Sequence, residues 1–149
     1  MTRREDGYLN EFESRDLWQL LAGKLLGEGC YRRTFELAHS PDLVIKVEKE
    51  DGCFHNVREW DTWQTVSNAP KWRRWLAPCV AISPNGRFLV MKRTKPVTLK
   101  ELPAKVPAFM TDRKVGNFGR LDGKIVCHDY ATPIVSLSLT LRKANWWEN

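Results

Sequence analysis

The order of elements written in this sequence predicts an α+β fold, with the strands gathered into an antiparallel sheet and one helix packed across it. Three observations carry that reading. Short apolar or β-branched runs bounded by Gly, Pro, Asn or Asp occur at Leu25–Leu37, Asp42–Glu48, Leu76–Ser83 and Arg87–Lys92. Between the second and third run lies Asn56–Ser67, where Val57, Trp60 and Trp63 recur at helical spacing. After Thr94, three prolines (Pro96, Pro103 and Pro107) leave room only for short helical pieces up to Met110.

The elements follow in order. Leu17, Trp18, Leu20, Leu21 and Leu25 predict an amphipathic helix within Glu13–Leu26, starting near Ser14 or Asp16 and ended by Gly23. Leu25–Leu37 reads as strand, glycine turn and strand. His39–Asp42, with Ser40-Pro41, reads as a turn before the strand Asp42–Glu48. Ser83-Pro84-Asn85-Gly86 joins the next two strands, and Asp122-Gly123 turns a hairpin of Asn117–Leu121 and Lys124–Asp129. Thr132–Asn149 has no clear period, and no internal repeat or low-complexity run is present.

A chain of 149 residues with 42% hydrophobic and 28% charged content suits one domain with a real core. We expect a single unit over 1–149. Its longest apolar stretch, Leu17–Leu26, is interrupted by Gln19, Gly23 and Lys24, so no membrane span is expected. Met1–Asp6 has basic residues with no apolar core behind them, which is not the pattern of a signal peptide. Cys30, Cys53, Cys79 and Cys127 form no C-x-x-C pair and, with three scattered histidines, give no metal-ligand spacing. Reduced thiols and a cytoplasmic location are the expectation. The net charge of +6 favours anionic partners without saying which.

Some residues carry candidate chemistry. Gly27-x-Gly29 between two strands would let backbone amides approach a phosphate, although a tight hairpin explains the same glycines without a ligand. Lys46 stands mid-strand among β-branched residues, where a lysine either pairs or snorkels outward. Glu59 lies on the following helix and, taken alone, reads as a solvated residue. Asp112 and Asn117 lie five apart, and Asp129 ends a strand after the Asp122-Gly123 turn. Two carboxylates and an amide carbonyl are hard oxygen donors of the kind that suits Mg²⁺.

Taken together in this order, these residues resemble the protein-kinase family. Leu26-Gly27-Glu28-Gly29-Cys30-Tyr31-Arg32 resembles the glycine-rich loop, Val44-Ile45-Lys46 the strand lysine, and Glu59 its helix partner. Phe88–Thr94 resembles the strand leading to the hinge, with Met91 at the gatekeeper position. Asp112-x-Lys114-x-x-Asn117 resembles the catalytic loop and Asp129-Tyr130-Ala131 the D-F-G element. The pattern N-F-G, D-G, H-D-Y is similar to that of small kinase-like proteins carried by bacteriophages. The resemblance implies an antiparallel-sheet N-lobe over about 1–93, a much reduced C-lobe over about 94–149, and ATP and Mg²⁺ as cofactors. It implies catalytic roles for Lys46, Asp112 and Lys114, and cofactor contacts at Gly27, Gly29, Lys46, Glu59, Met91 and Arg93. Asn117 and Asp129 would ligate the metal.

There are departures. Arg32 replaces the third loop glycine, which should loosen the cover over the phosphates. Met110-Thr111 replaces His-Arg, and Ala131 replaces the last glycine of D-F-G. The chain is too short for an activation segment and a peptide-binding helical lobe. The leading expectation is a kinase acting on a protein hydroxyl. A pseudokinase that docks a partner without catalysis is the first alternative. A nucleic-acid-binding protein is the second, motivated by Lys71-Trp72-Arg73-Arg74-Trp75, although both tryptophans can equally pack under the sheet. The tail Lys143–Trp147 would either anchor a partner or fold back over apolar surface.

Overall fold

The computed structural model describes residues 11–131 and 136–148; the segment Met1–Asp6, read above for a signal peptide, and the start of the tail at 132–135 lie outside them. The first helix, α1 (Glu11–Leu21), runs directly into strand β1 (Ala22–Glu28), so it stops short of the expected Gly23. Strand pairing ends it: Ala22 already sits opposite Leu37, and the Ala38 amide donates to the Leu21 carbonyl at 2.7 Å. Gly23 serves the sheet instead. A Cβ there would lie 3.0 Å from Glu36 Cβ, so the glycine permits the close approach of the two strands.

Strand β2 (Arg32–Leu37) and strand β3 (Ser40–Glu48) are joined by the two-residue turn Ala38–His39, with His39 at φ 67°. The turn thus lies earlier than expected, and Ser40-Pro41 opens β3, a position where proline's missing N–H is tolerated. Helix α2 (His55–Val66) follows, then the short helix α3 (Pro70–Arg73), which the sequence reading left unassigned. Proline suits its first position because that N–H has no intrahelical partner. Strand β4 (Cys79–Ile82) is shorter than the expected Leu76–Ser83, since Leu76 pairs elsewhere, bridging Cys127. The Ser83–Gly86 turn, with Gly86 at φ 75°, leads to strand β5 (Phe88–Lys92).

These strands form one antiparallel sheet in the order β1-β2-β3-β5-β4, as expected of the N-lobe. The strand period of two sorts β3 between its faces. Lys46 opposite Leu89 and Val44 opposite Met91 face α2, whereas Ile45, opposite Phe35 and Val90, faces α1. On that side Trp18 of α1 packs edge-on against Phe35 at 5.1 Å and against Phe88 at 5.7 Å.

Beyond Arg93 the described residues contain no α-helix. Strand β6 (Lys95–Pro96) pairs with β8 (Phe118–Leu121), and β8 with β9 (Lys124–Cys127); β7 (Lys105–Pro107) pairs with β10 (Leu141–Lys143). The β8–β9 hairpin closes through Asp122 and Gly123, both at positive φ (49° and 77°), the conformation a two-residue hairpin turn demands. One apolar cluster runs through both parts, from Val44, Trp63 and Met91 to Val106, Phe109 and Phe118. Trp72 and Trp75 pack against it, with Trp72 Nε1 donating to the Leu137 carbonyl at 2.7 Å. The tail folds back: Trp146 meets Phe118 edge-on at 4.7 Å and donates to the Pro103 carbonyl at 2.7 Å, while Trp147 is about half exposed. No described helix is long and apolar enough to cross a membrane.

Candidate active site

The site is organised around Glu59, whose side chain on α2 is wholly buried. Lys46 Nζ from the middle of β3 lies 2.5 Å from Glu59 Oε1. Arg32, the first residue of β2, adds a second cation: Nη1 lies 3.0 Å from Oε1 and Nη2 3.3 Å from Oε2. The Tyr130 amide donates to Oε2 at 2.7 Å, so the carboxylate is met from three separate parts of the chain. Burial alone would raise this carboxyl, but Lys46 and Arg32 outweigh it and hold the pKa at about 2.

Each cation is fixed further. Lys46 Nζ also donates to the His128 carbonyl. Arg32 Nη1 donates to Asn56 Oδ1 at 3.1 Å, and its Nη2 to Asp129 Oδ1 at 2.8 Å. Burial opposes the guanidinium charge, yet Glu59 and Asp129 raise its pKa above the ordinary value. Asn56 is buried without an unmet group, donating through Nδ2 to the carbonyls of Lys46 and Arg87 at 3.2 and 2.9 Å.

His128 joins the segment before β8 to the segment before β6. Its Nε2 donates to the Gly116 carbonyl at 2.8 Å, which leaves Nδ1 to accept from Thr94 Oγ1 at 2.7 Å. Burial, reinforced by Lys46, depresses its pKa and keeps the ring neutral. This approach of the Thr94 strand requires Gly119, because a Cβ there would lie 2.5 Å from Thr94 Cβ and 2.9 Å from the Lys95 carbonyl oxygen.

The fold therefore brings Lys46, Glu59 and Asp129 together. Asp112 and Asp129 line one cavity of about 30 Å³ with Met110, Thr111 and Tyr130, room for about one water molecule. Asn117 does not line that cavity; it is buried, its carbonyl accepting from the His128 amide at 2.8 Å. Lys114 points elsewhere: its Nζ lies 5.5 Å from the centroid of the Trp147 ring. Met91 is buried in the sheet core, and Arg93 turns to Glu36, 3.7 Å away on β2. A Cβ on Gly27 would meet nothing within 4 Å, so open space surrounds that glycine.

Sequence reasoning missed Arg32 and Asn56. Arg32 was expected to loosen the loop; it instead pins the loop's end to Glu59 and Asp129. The signal was present as a charged residue at a strand position that alternates with Thr34 and pairs with Glu48, beside the Lys46 row. Nothing in the sequence pattern marked Asn56.

A divalent cation at Asp129 and Asn117 does not fit this arrangement. Asp129 Oδ1 is already taken by a guanidinium, and Arg32 with Lys46 balances the charges of Glu59 and Asp129. Among the described residues no group of three or more His, Cys, Asp or Glu side chains is placed to hold a metal.

No family model matches the chain, and no curated protein does. Similar solved structures include the gentamicin–APH(2")-IIa complex, at 23% identity, with a TM-score of 0.46 over 62% of this chain and 30% of that one. The streptomycin–ATP–APH(2")-IIa ternary complex is 24% identical, with a TM-score of 0.43 over 62% and 31%. The ADP-bound aminoglycoside phosphotransferase APH(2'')-Ib is 25% identical, with a TM-score of 0.44 over 60% and 30%. The chain thus spans less than a third of the length of each.

Proposed function

We propose that this chain is a kinase-fold domain that binds ATP, with the nucleotide phosphates meeting Lys46. The carrying observation is the buried pair of Lys46 and Glu59, 2.5 Å apart and tied to the segment His128–Tyr130 by two further bonds. A buried ion pair is an expensive way to gain stability, because desolvation offsets most of the attraction. What it does achieve is placement: an ammonium fixed between β3, α2 and the His128 carbonyl, with one of its three N–H donors still unspent.

Transfer of the γ-phosphate to a protein hydroxyl is the fuller form of this reading. It is supported by Asp112, which shares a cavity with Asp129 and is the residue type that accepts a hydroxyl proton. Partner docking without transfer is the second reading, and the hold of Arg32 on Asp129 and the turn of Lys114 to Trp147 favour it.

The test of nucleotide binding is the melting temperature with and without millimolar ATP, for the wild type and for Lys46→Met. ATP is expected to raise the wild-type value by mass action and to leave the variant unmoved. A wild-type curve that ATP does not shift in any buffer would overturn the proposal.

A further inference from the structure

We propose that Arg32 supplies at Asp129 the positive charge that a divalent cation would bring, so that nucleotide phosphates bind here without a metal. This inference rests on the nucleotide reading above and specifies the form in which the nucleotide is taken.

Geometry carries it first. Arg32 Nη2 lies 2.8 Å from Asp129 Oδ1, within the range of a strong charge-assisted bond. The guanidinium is not a passing visitor to that carboxylate. Its two terminal nitrogens also reach Asn56 Oδ1 and both oxygens of Glu59, so four of its five N–H donors are engaged. A metal that took Asp129 Oδ1 would have to break the 2.8 Å bond from a guanidinium held in a buried, strand-anchored network. The Arg32 Cα is held by pairing with Glu48, and the side chain is 9% exposed.

Charge balance points the same way. Arg32 and Lys46 already match Glu59 and Asp129, so a divalent ion at Asp129 would add two charges beside a carboxylate that is already neutralised. It would also stand beside a guanidinium that cannot lose its proton. Mg²⁺ beside a nucleotide is held by one or two carboxylates together with waters and phosphates, and of the two that line this cavity Asp129 has an oxygen already occupied.

The experiment is a calorimetric titration of ATP into the full chain, once with excess EDTA and once with excess Mg²⁺. The wild type is expected to bind both forms with Kd values within about threefold of each other, since no metal site contributes. Asp129→Asn is expected to keep that independence, because it removes only the carboxylate a metal would need and leaves Arg32 on Glu59. Arg32→Gly frees Asp129 and is expected to bind ATP about tenfold more tightly with Mg²⁺ than with EDTA. A readout without nucleotide accompanies these: the electron-spin resonance signal of free Mn²⁺ should be undiminished by wild-type protein and reduced by Arg32→Gly.

Should Arg32→Gly fail to fold, the wild type and Asp129→Asn still decide. A wild type that gains tenfold or more from Mg²⁺, with the gain lost in Asp129→Asn, overturns this inference and leaves nucleotide binding standing. Wild-type protein that binds Mn²⁺ alone overturns it as well. No ATP binding under either condition sinks the nucleotide reading, and this inference with it.

Discussion

The backbone amide of Tyr130 donates to Glu59 Oε2 at 2.7 Å, bridging 71 residues of sequence. That bond fixes the segment leaving β9 to the helix packed on the five-stranded sheet. It makes one carboxylate the joint between the two parts of the molecule, with Lys46 and Arg32 closing on it from the strands.

Glu59→Gln should destabilise the fold by roughly 3–5 kcal/mol, because it leaves two buried cations facing a neutral amide. The pH dependence follows from the depressed carboxyl. Its folded pKa of about 2 lies below the ordinary 4.5, so its stabilisation is fully present above about pH 4.5 and is lost as pH falls towards about 2. Thermal melts across that window should show a steep acid loss in the wild type and a shallower one in the variant. Parallel slopes would remove Glu59 from this role.

Asp112→Asn keeps the size of the side chain and deletes its capacity as a base. If the chain transfers phosphate, labelled ATP should label the wild-type protein or its substrate, and the variant should lose about 10²- to 10⁴-fold in rate with little change in ATP affinity. Equal labelling by both proteins would exclude Asp112 as the base and leave the docking reading ahead.

Gly119→Ala should cost about 1–3 kcal/mol of stability, since the new methyl would collide with Thr94 and with the Lys95 backbone rather than with a flexible side-chain end. The same variant should disturb the Thr94–His128 bond, visible as a changed imidazole resonance. An unaltered melt and resonance would mean that the β6–β8 contact is looser than described.

The two tail tryptophans should behave differently. Trp146→Ala removes an edge-on contact with Phe118 and a hydrogen bond to Pro103, and a loss of about 2–4 kcal/mol is expected. Trp147, 47% exposed with Lys114 beside its ring, should tolerate alanine within about 1 kcal/mol. Denaturant melts of both variants give the comparison. Equal losses would show that Trp147 is also part of the core.

The sequence by itself determined the strands and the packed helix, and it raised the candidate chemistry. Alternation along Leu43–Val47, helical spacing of Val57, Trp60 and Trp63, and the Asp122-Gly123 turn are local patterns, and each element formed where its pattern lay. Lys46 stood out by its place mid-strand and Glu59 only through the order of residues along the chain, and β3 and α2 brought them within 2.5 Å. Boundaries fared less well: α1 stops at Leu21 because β1 pairs with β2 there, and a partner strand is invisible to helical periodicity. The fate of Arg32 was a matter for tertiary structure alone. A charged residue at a strand start is ordinarily solvated, and only the convergence of Asn56, Glu59 and Asp129 on one point makes its burial favourable. Trp146 was decided in the same way, by a Phe118 ring and a Pro103 carbonyl that the sequence places far from it and the fold places beside it.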